Sequence, residues 1–210
     1  MHLAWFLLTL VTTTWSGSAI PLGAPWTVGA LLTGLWYSLP ILIILGCHEF
    51  GHYFYCRKHN VDATLPYFLP APLPLTGTFG AVIRIREAYP SKRALFDIGV
   101  AGPIVGFVAL IPFLYWGMRL SSVGPVGKSG NYFGEALLYK AFAYARFGRV
   151  APGMDVFLHP MAFAAWFGML ATAMNLMPFG QLDGGHISYA LLGRRSWIIS
   201  LGTLITTIAM

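Results

Sequence analysis

Charge is what this 210-residue sequence lacks most. Lys and Arg number 13 and Asp and Glu seven, 10% of the chain together, where an ordinary globular domain carries about a quarter. With 57% of residues hydrophobic, that shortage excludes an ordinary water-soluble domain and places the chain in a bilayer. Cysteine is scarce as well. Cys47 and Cys56 form neither a C-x-x-C pair nor a spaced set, which excludes a disulfide framework. Internal repeats, low-complexity tracts and a solvated mid-chain linker are all missing, so residues 1–210 are read as a single membrane-embedded domain. The formal charge of +6 does not imply nucleic acid. Its cations stand in short groups at the ends of apolar runs, Arg57-Lys58, Lys92-Arg93 and Arg194-Arg195, where they meet the headgroups of a lipid bilayer.

Long apolar runs are what the sequence does have. A helix needs about 20 apolar residues to span a hydrocarbon core, and residues 1–16, 28–56, 95–118 and 157–177 approach or exceed that length. Residues 1–16 are followed by the small residues Ser16-Gly17-Ser18-Ala19, as in a cleaved signal, but only Met1-His2 precedes the run. A positive n-region is therefore wanting, and the segment reads as a first membrane helix. A fifth run, 196–210, stops at Met210 without polar or basic anchors, so truncation at the C-terminus is expected, with a sixth helix in the full chain. The expected fold class is an all-α polytopic membrane protein of about five transmembrane helices, with a small β element between the second and third spans. That element follows from the Pro-rich stretch Pro66, Pro70, Pro72, Pro74, then Gly77 to Ile85, with apolar and polar residues alternating from Ile83 to Arg86. Residues 119–156 read as a polar loop with turn signals at Gly124-Pro125 and Gly127 through Gly130, and one surface helix around 133–147. Counting crossings puts 57–94 and 178–195 on one side, with eight Lys/Arg, and leaves five on the other. The positive-inside rule then sets the first side in the cytoplasm.

The second span ends in Gly46-Cys47-His48-Glu49-Phe50-Gly51-His52-Tyr53, an H-E-x-x-H pattern in an apolar helix. Positions four apart share a helix face about 6 Å apart along the axis, so His48 and His52 can hold one Zn²⁺ while Glu49, about 100° around, activates the water that attacks a peptide bond. Such a spacing also arises by chance on the wet face of a soluble helix. Here the helix is apolar, and three ionisable groups within five residues of membrane depth cost several kcal/mol unless one partner satisfies them together. A metal is such a partner.

Two His leave a catalytic zinc one protein ligand short. Cys56 lies on the same face but about 12 Å along the axis from His48, and reads as a buried apolar thiol. His59 follows basic residues and reads as solvated, and His159 and His186 are further candidates. The better one is Asp183, in Asn175-Leu176-Met177-Pro178-Phe179-Gly180-Gln181-Leu182-Asp183-Gly184-Gly185-His186. Asp-Gly-Gly alone is an ordinary turn. After the fourth span it emerges on the side of the H-E-x-x-H end, and Gly184-Gly185 allow close approach to another helix.

Together these stretches resemble the site-2 protease family, membrane-embedded zinc metalloproteases, over nearly the whole chain: HEFGH at 48–52, GTFGA at 77–81, DIGVAGPIVG at 97–106 and NLMPFGQLDGG at 175–185. The resemblance implies one Zn²⁺ per chain on His48, His52 and Asp183, Glu49 as catalytic base, and Asn175 holding the oxyanion or substrate. It implies an endopeptidase acting within or near a substrate's transmembrane segment after an earlier cut, releasing a regulator such as an anti-sigma factor fragment. The host membrane is expected to be the bacterial inner membrane, with the active site toward the cytoplasm. GTFGA is expected as an edge strand able to pair with an unwound substrate, or as a packing hairpin. Gly102-Pro103 and Gly106 are read as helix-packing residues, Asp97 as a helix-end residue, and His186 as a neighbour of the site or solvated. Many members carry a PDZ domain, and this chain has no soluble segment long enough for one. The rival reading is a membrane transporter holding a metal ion on the same His/Glu/Asp cluster, on helices broken at Pro178 and Gly184-Gly185. Glu49 separates the two, because a carrier needs no general base. A helix-binding scaffold without catalysis would keep costly buried charges without use. Substrate identity and oligomeric state are not set by the sequence.

Overall fold

The computed structural model describes residues 1–22, 27–126 and 134–209. Helix α1 (His2–Leu22) is followed by α2 (Val28–Lys58), strands β1 (Tyr67–Pro70) and β2 (Thr78–Val82), α3 (Lys92–Leu120), β3 (Ser122–Pro125), α4 (Leu137–Phe147), β4 (Met154–Phe157), α5 (Pro160–Asn175), α6 (Asp183–Leu192), a 3₁₀ turn and α7 (Ser196–Ala209). The chain is thus mainly helical, as expected, and among the described residues α2 and α3 are the two helices long and apolar enough to cross a membrane. α1, α5 and α7 occupy the other three apolar runs.

α2 and α3, the two longest helices, each start where a hydroxyl caps them. Thr27 accepts a hydrogen bond from the Ala30 N–H at 3.1 Å, and Ser91 does the same for Ala94 at 3.1 Å, which satisfies amides that the first turn leaves free. α2 stops after Arg57 and Lys58, cations favoured at a helix C-terminus, where Asn60 takes a positive φ of 55°. α2 is the central element: α1, α3 and α5 all pack on it. Ile44, Leu110, Leu114, Ala165 and Met169 form one core between α2, α3 and α5, and Tyr37, Ile41, Phe68 and Phe163 form another under the β1–β2 hairpin.

The polarity of α1 is inverted relative to a soluble helix. Thr9, Thr13 and Ser16 are buried while Leu3, Leu7, Leu8 and Val11 are exposed. α7 likewise turns Trp197, Ile198, Leu201 and Ile205 outward. Contiguous apolar surface of this kind has no stable contact with water.

The β content exceeds the expectation. β2 falls within the expected 77–85 stretch and pairs with β1 from the Pro-rich segment before it, so the small β element expected between the second and third spans is a hairpin. Pro70 is accommodated because it ends the strand, at a register shift after Leu69, where a missing N–H costs little. Ile85, in the stretch of alternation, adds a single bridge to Ala63. A second antiparallel pair, β3 with β4, lies in the segment read as a loop, and the Gly124-Pro125 turn signal sits inside β3, opposite Asp155 and Met154. The surface helix is present as α4, while the turn signals Gly127 through Gly130 lie outside the described residues, as does Met210.

Candidate metal centre

The H-E-x-x-H segment occupies the C-terminal half of α2, and His48, Glu49 and His52 are all buried there. Asp183 is the first residue of α6, reached after the chain leaves α5 at Asn175 and turns through Pro178 and Gly180, the latter at φ 63°. Gly184 is needed next to it, since a methyl group there would run into the Leu176 carbonyl. The turn thus folds tightly enough to bring Asp183 back onto α2.

The meeting is close. Asp183 Oδ2 stands 3.1 Å from His48 Nε2, Asp183 Oδ1 stands 3.2 Å from His52 Nε2, and the two Nε2 atoms are 3.1 Å apart. Donor atoms on a tetrahedral zinc with arms of about 2.0 Å are separated by about 3.3 Å, so each of these separations has the size of one edge of such a site, the two carboxylate contacts being made by different oxygens of Asp183. Its chemistry also calls for a positive charge, carried either by a proton on His52 or by a metal ion. His52 Nδ1 lies 2.8 Å from the Ile98 carbonyl, which only accepts, so this nitrogen donates. In the neutral imidazole the Nε2 lone pair is then turned toward Asp183, and a lone pair facing a carboxylate oxygen at 3.2 Å is repulsive without positive charge between them. Among the described residues these three make the one group of His, Cys, Asp and Glu able to share an ion. Two imidazoles and a carboxylate fit zinc and leave its fourth position open.

Glu49 projects from the same helix turn. It is buried, close enough to His52 and Asp183 to feel both charges, and its carboxylate takes a hydrogen bond from the Ile83 backbone N–H, just past β2. Asn175 Nδ2 lies 3.4 Å from His48 Nε2 at the end of α5. All five residues line a cavity of about 580 Å³, within the range of small-molecule and peptide side-chain sites. β2, Ile44, Phe167 and Met174 give it mainly apolar walls.

The other candidates fall elsewhere. Cys56 is fully buried among Val61, Ala63 and Ile98, as read. His59 is not free in solvent: its Nε2 is 3.0 Å from Asp97 Oδ2, which ties the end of α2 to the start of α3. Asp97 accordingly does more than mark a helix end. His159 caps α5 by accepting from the Met161 N–H at 3.3 Å. His186 does line the cavity, with Tyr89 beside it at 5.7 Å between ring centroids. Burial pushes the His186 imidazole down, so it is neutral at pH 7. Burial, with Cys56 and Asp183 nearby, pushes the Tyr89 hydroxyl up to about 12, which keeps it a donor. Tyr89, Ile83 and Ile98 were not found from the sequence. The last two act through backbone atoms, which carry no residue signature.

Residues 36–200 match Peptidase family M50. The chain belongs to that family, the site-2 proteases. Among curated relatives, it is 32% identical over 183 residues to the probable zinc metalloprotease EGY1, chloroplastic, of Oryza sativa subsp. japonica, covering 82% of this chain and 31% of the relative. It is 31% identical over 170 residues to the probable zinc metalloprotease EGY2, chloroplastic, of Arabidopsis thaliana, covering 79% and 30%. The chain therefore spans about a third of the length of these M50 relatives. No solved structure matches it. Zinc, expected from the H-E-x-x-H spacing, is the metal in the names of these relatives, and the donor set accepts it. The transporter reading gains no support from a peptidase family. The bacterial inner membrane gains none either, because the relatives are chloroplastic plant proteins.

Proposed function

We propose that this chain is a zinc metalloendopeptidase that cuts peptide bonds within or beside the transmembrane segments of membrane proteins. The observation that carries the reading is the convergence of His48, His52 and Asp183 beside Glu49 inside an apolar helix. Bound zinc supplies a Lewis acid that brings the pKa of water near 7 and polarises a carbonyl. Glu49 takes the proton of the attacking water and delivers it to the leaving amine. The Asn175 amide donates a hydrogen bond to the carbonyl oxygen as it gains charge. The His52 imidazole is held in the ligating tautomer by the Ile98 carbonyl.

A helical peptide bond is shielded by its own hydrogen bonds, so the substrate must unwind before it is cut. The β2 edge not paired with β1 borders the cavity, and Ile83 after it touches Glu49. An unwound substrate added to that edge brings its backbone to the general base. The surrounding bundle is read as a multi-pass membrane protein in which α1, α5 and α7 cross with α2 and α3. Support comes from the outward apolar faces and inward hydroxyls of α1. The catalytic groups open toward the side that carries the 57–94 segment. Regulated cleavage, following an earlier cut that shortens the substrate, belongs to the same reading.

The test compares detergent-purified wild type with Glu49→Gln for bound zinc and for cleavage of a generic transmembrane-helix substrate. Both proteins should hold about one zinc per chain, and Glu49→Gln should cut at least about 10²-fold more slowly. Equal behaviour of the two proteins, with metal bound and no cleavage in either, would end the protease reading.

A further inference from the structure

α3 contributes no metal ligand, yet it is the helix packed most closely against both imidazoles. Ile98, Gly102 and Gly106 follow one another at four-residue intervals and lie along one stripe of α3. His48 and His52, also four apart, lie along the facing stripe of α2. The two ladders run in opposite directions, so Gly102 meets His52 and Gly106 meets His48. A methyl group on Gly102 would collide with the His52 ring at Nε2, the ligating atom. On Gly106 it would stand 3.0 Å from His48 Cβ and 3.1 Å from His48 Nδ1. The backbones approach just as closely, since a methyl group on Gly51 of α2 would reach to 2.7 Å from the Ala101 carbonyl.

A second, separate contact comes from the same stripe: the Ile98 carbonyl accepts from His52 Nδ1 at 2.8 Å. Pro103 lies within α3 and has no N–H to offer the Gly99 carbonyl. One turn of α3 therefore does two things to one ligand, blocking its ring from behind and fixing its proton.

We propose that the Ile98 to Gly106 face of α3 is the seat of the two imidazoles. Gly102 and Gly106 are positioning residues that set the His52 and His48 rings by contact, and the Ile98 carbonyl fixes the His52 tautomer. The GP and G of the 97–106 stretch then serve the metal centre itself rather than helix packing alone. Metal ligands tolerate displacements of only about 0.5 Å; a methyl group at Gly102 exceeds that allowance for the His52 ring, and one at Gly106 takes up much of it for His48. This inference rests on the ligand set proposed above.

Zinc affinity separates the possibilities, measured by chelator competition on wild type, Gly102→Ala, Gly106→Ala, Gly117→Ala and His48→Ala in detergent. Co²⁺ absorption spectra of the same proteins report ligand geometry. Gly117 is also on α3 and equally crowded, but against Ala162 of α5 and away from the ligands. Gly106→Ala, the milder crowding, should remain folded, bind zinc about 10-fold more weakly and shift the cobalt spectrum, and Gly102→Ala should lose about 100-fold. Gly117→Ala should melt at a lower temperature and keep wild-type affinity. Wild-type affinity and spectrum in Gly106→Ala overturn the proposal, and so does an equal loss in Gly117→Ala, which would make general crowding the cause. If Gly102→Ala does not fold, Gly106→Ala decides. A wild type without zinc, or a His48→Ala protein that keeps it, removes the ligand set and this inference with it.

Discussion

α1 and α2 both bury polar side chains in apolar surroundings, and they satisfy them by opposite means. In α1 the buried hydroxyls of Thr9, Thr13 and Ser18 bring their own protons and find carbonyls, Thr9 donating to Trp5 at 2.8 Å, Thr13 to Thr9 at 2.7 Å and Ser18 to Trp15 at 2.7 Å, while Thr14 Oγ1 is buried without a partner among the described residues. Thr12 and Ser16 reach across to the Gly77 and Leu73 carbonyls at 2.7 Å each and anchor the β1–β2 hairpin. For these five hydroxyls nothing has to be added. In α2 the His52–Asp183 contact closes only with a positive charge between the two groups, a proton or a metal ion. A polar residue in an apolar helix marks a reactive site only when its neighbours leave it a lone pair facing a lone pair.

That contrast can be broken at several points. Asp183→Ala should have the largest effect, taking bound zinc from about one per chain to background and abolishing cleavage, as metal analysis and a substrate assay would show. Asn175→Ala should keep its zinc and cut about 10²-fold more slowly, the loss seen when one oxyanion donor is removed. Retained activity would assign Asn175 to packing. Removing zinc from wild type by chelation should lower its thermal stability by about 3 kcal/mol if free zinc had stood near 100 times Kd, and should leave Asp183→Ala unchanged. Thr13→Val should cost only about 1 kcal/mol, by breaking the 2.6 Å contact with Ser38, with zinc content and cleavage as in wild type. Loss of zinc in Thr13→Val would mean that α1 and the metal centre are not independent.

The sequence made the charged members of the centre legible because each is tied to a spacing. His48 and His52 are four apart on a helix, and Asp183 precedes two glycines that permit a tight return. The five long helices were legible from their apolar runs. The small β element between the second and third spans was legible too, but the bounds of β1 within it were not, since its prolines argue against pairing and β2 begins at Thr78, eleven residues after Tyr67. The β3–β4 pair was missed for the same reason: pairing is a property of two segments, and neither alone shows alternation. The salt link from His59 to Asp97 joins the ends of two helices 38 residues apart, which no local pattern records. The roles of Ile98 and Ile83 belong to a carbonyl and an amide that every residue has.

The distance along the chain between His48 and Asp183 is 135 residues. During synthesis, a membrane therefore receives the complete H-E-x-x-H helix long before its third ligand has been translated. Until α6 arrives and docks, the nascent polypeptide carries the motif without the proposed centre, and fragments that end before Asp183 lack one of its three groups. On the proposed ligand set, the centre is completed by the closing of the bundle rather than by its second helix.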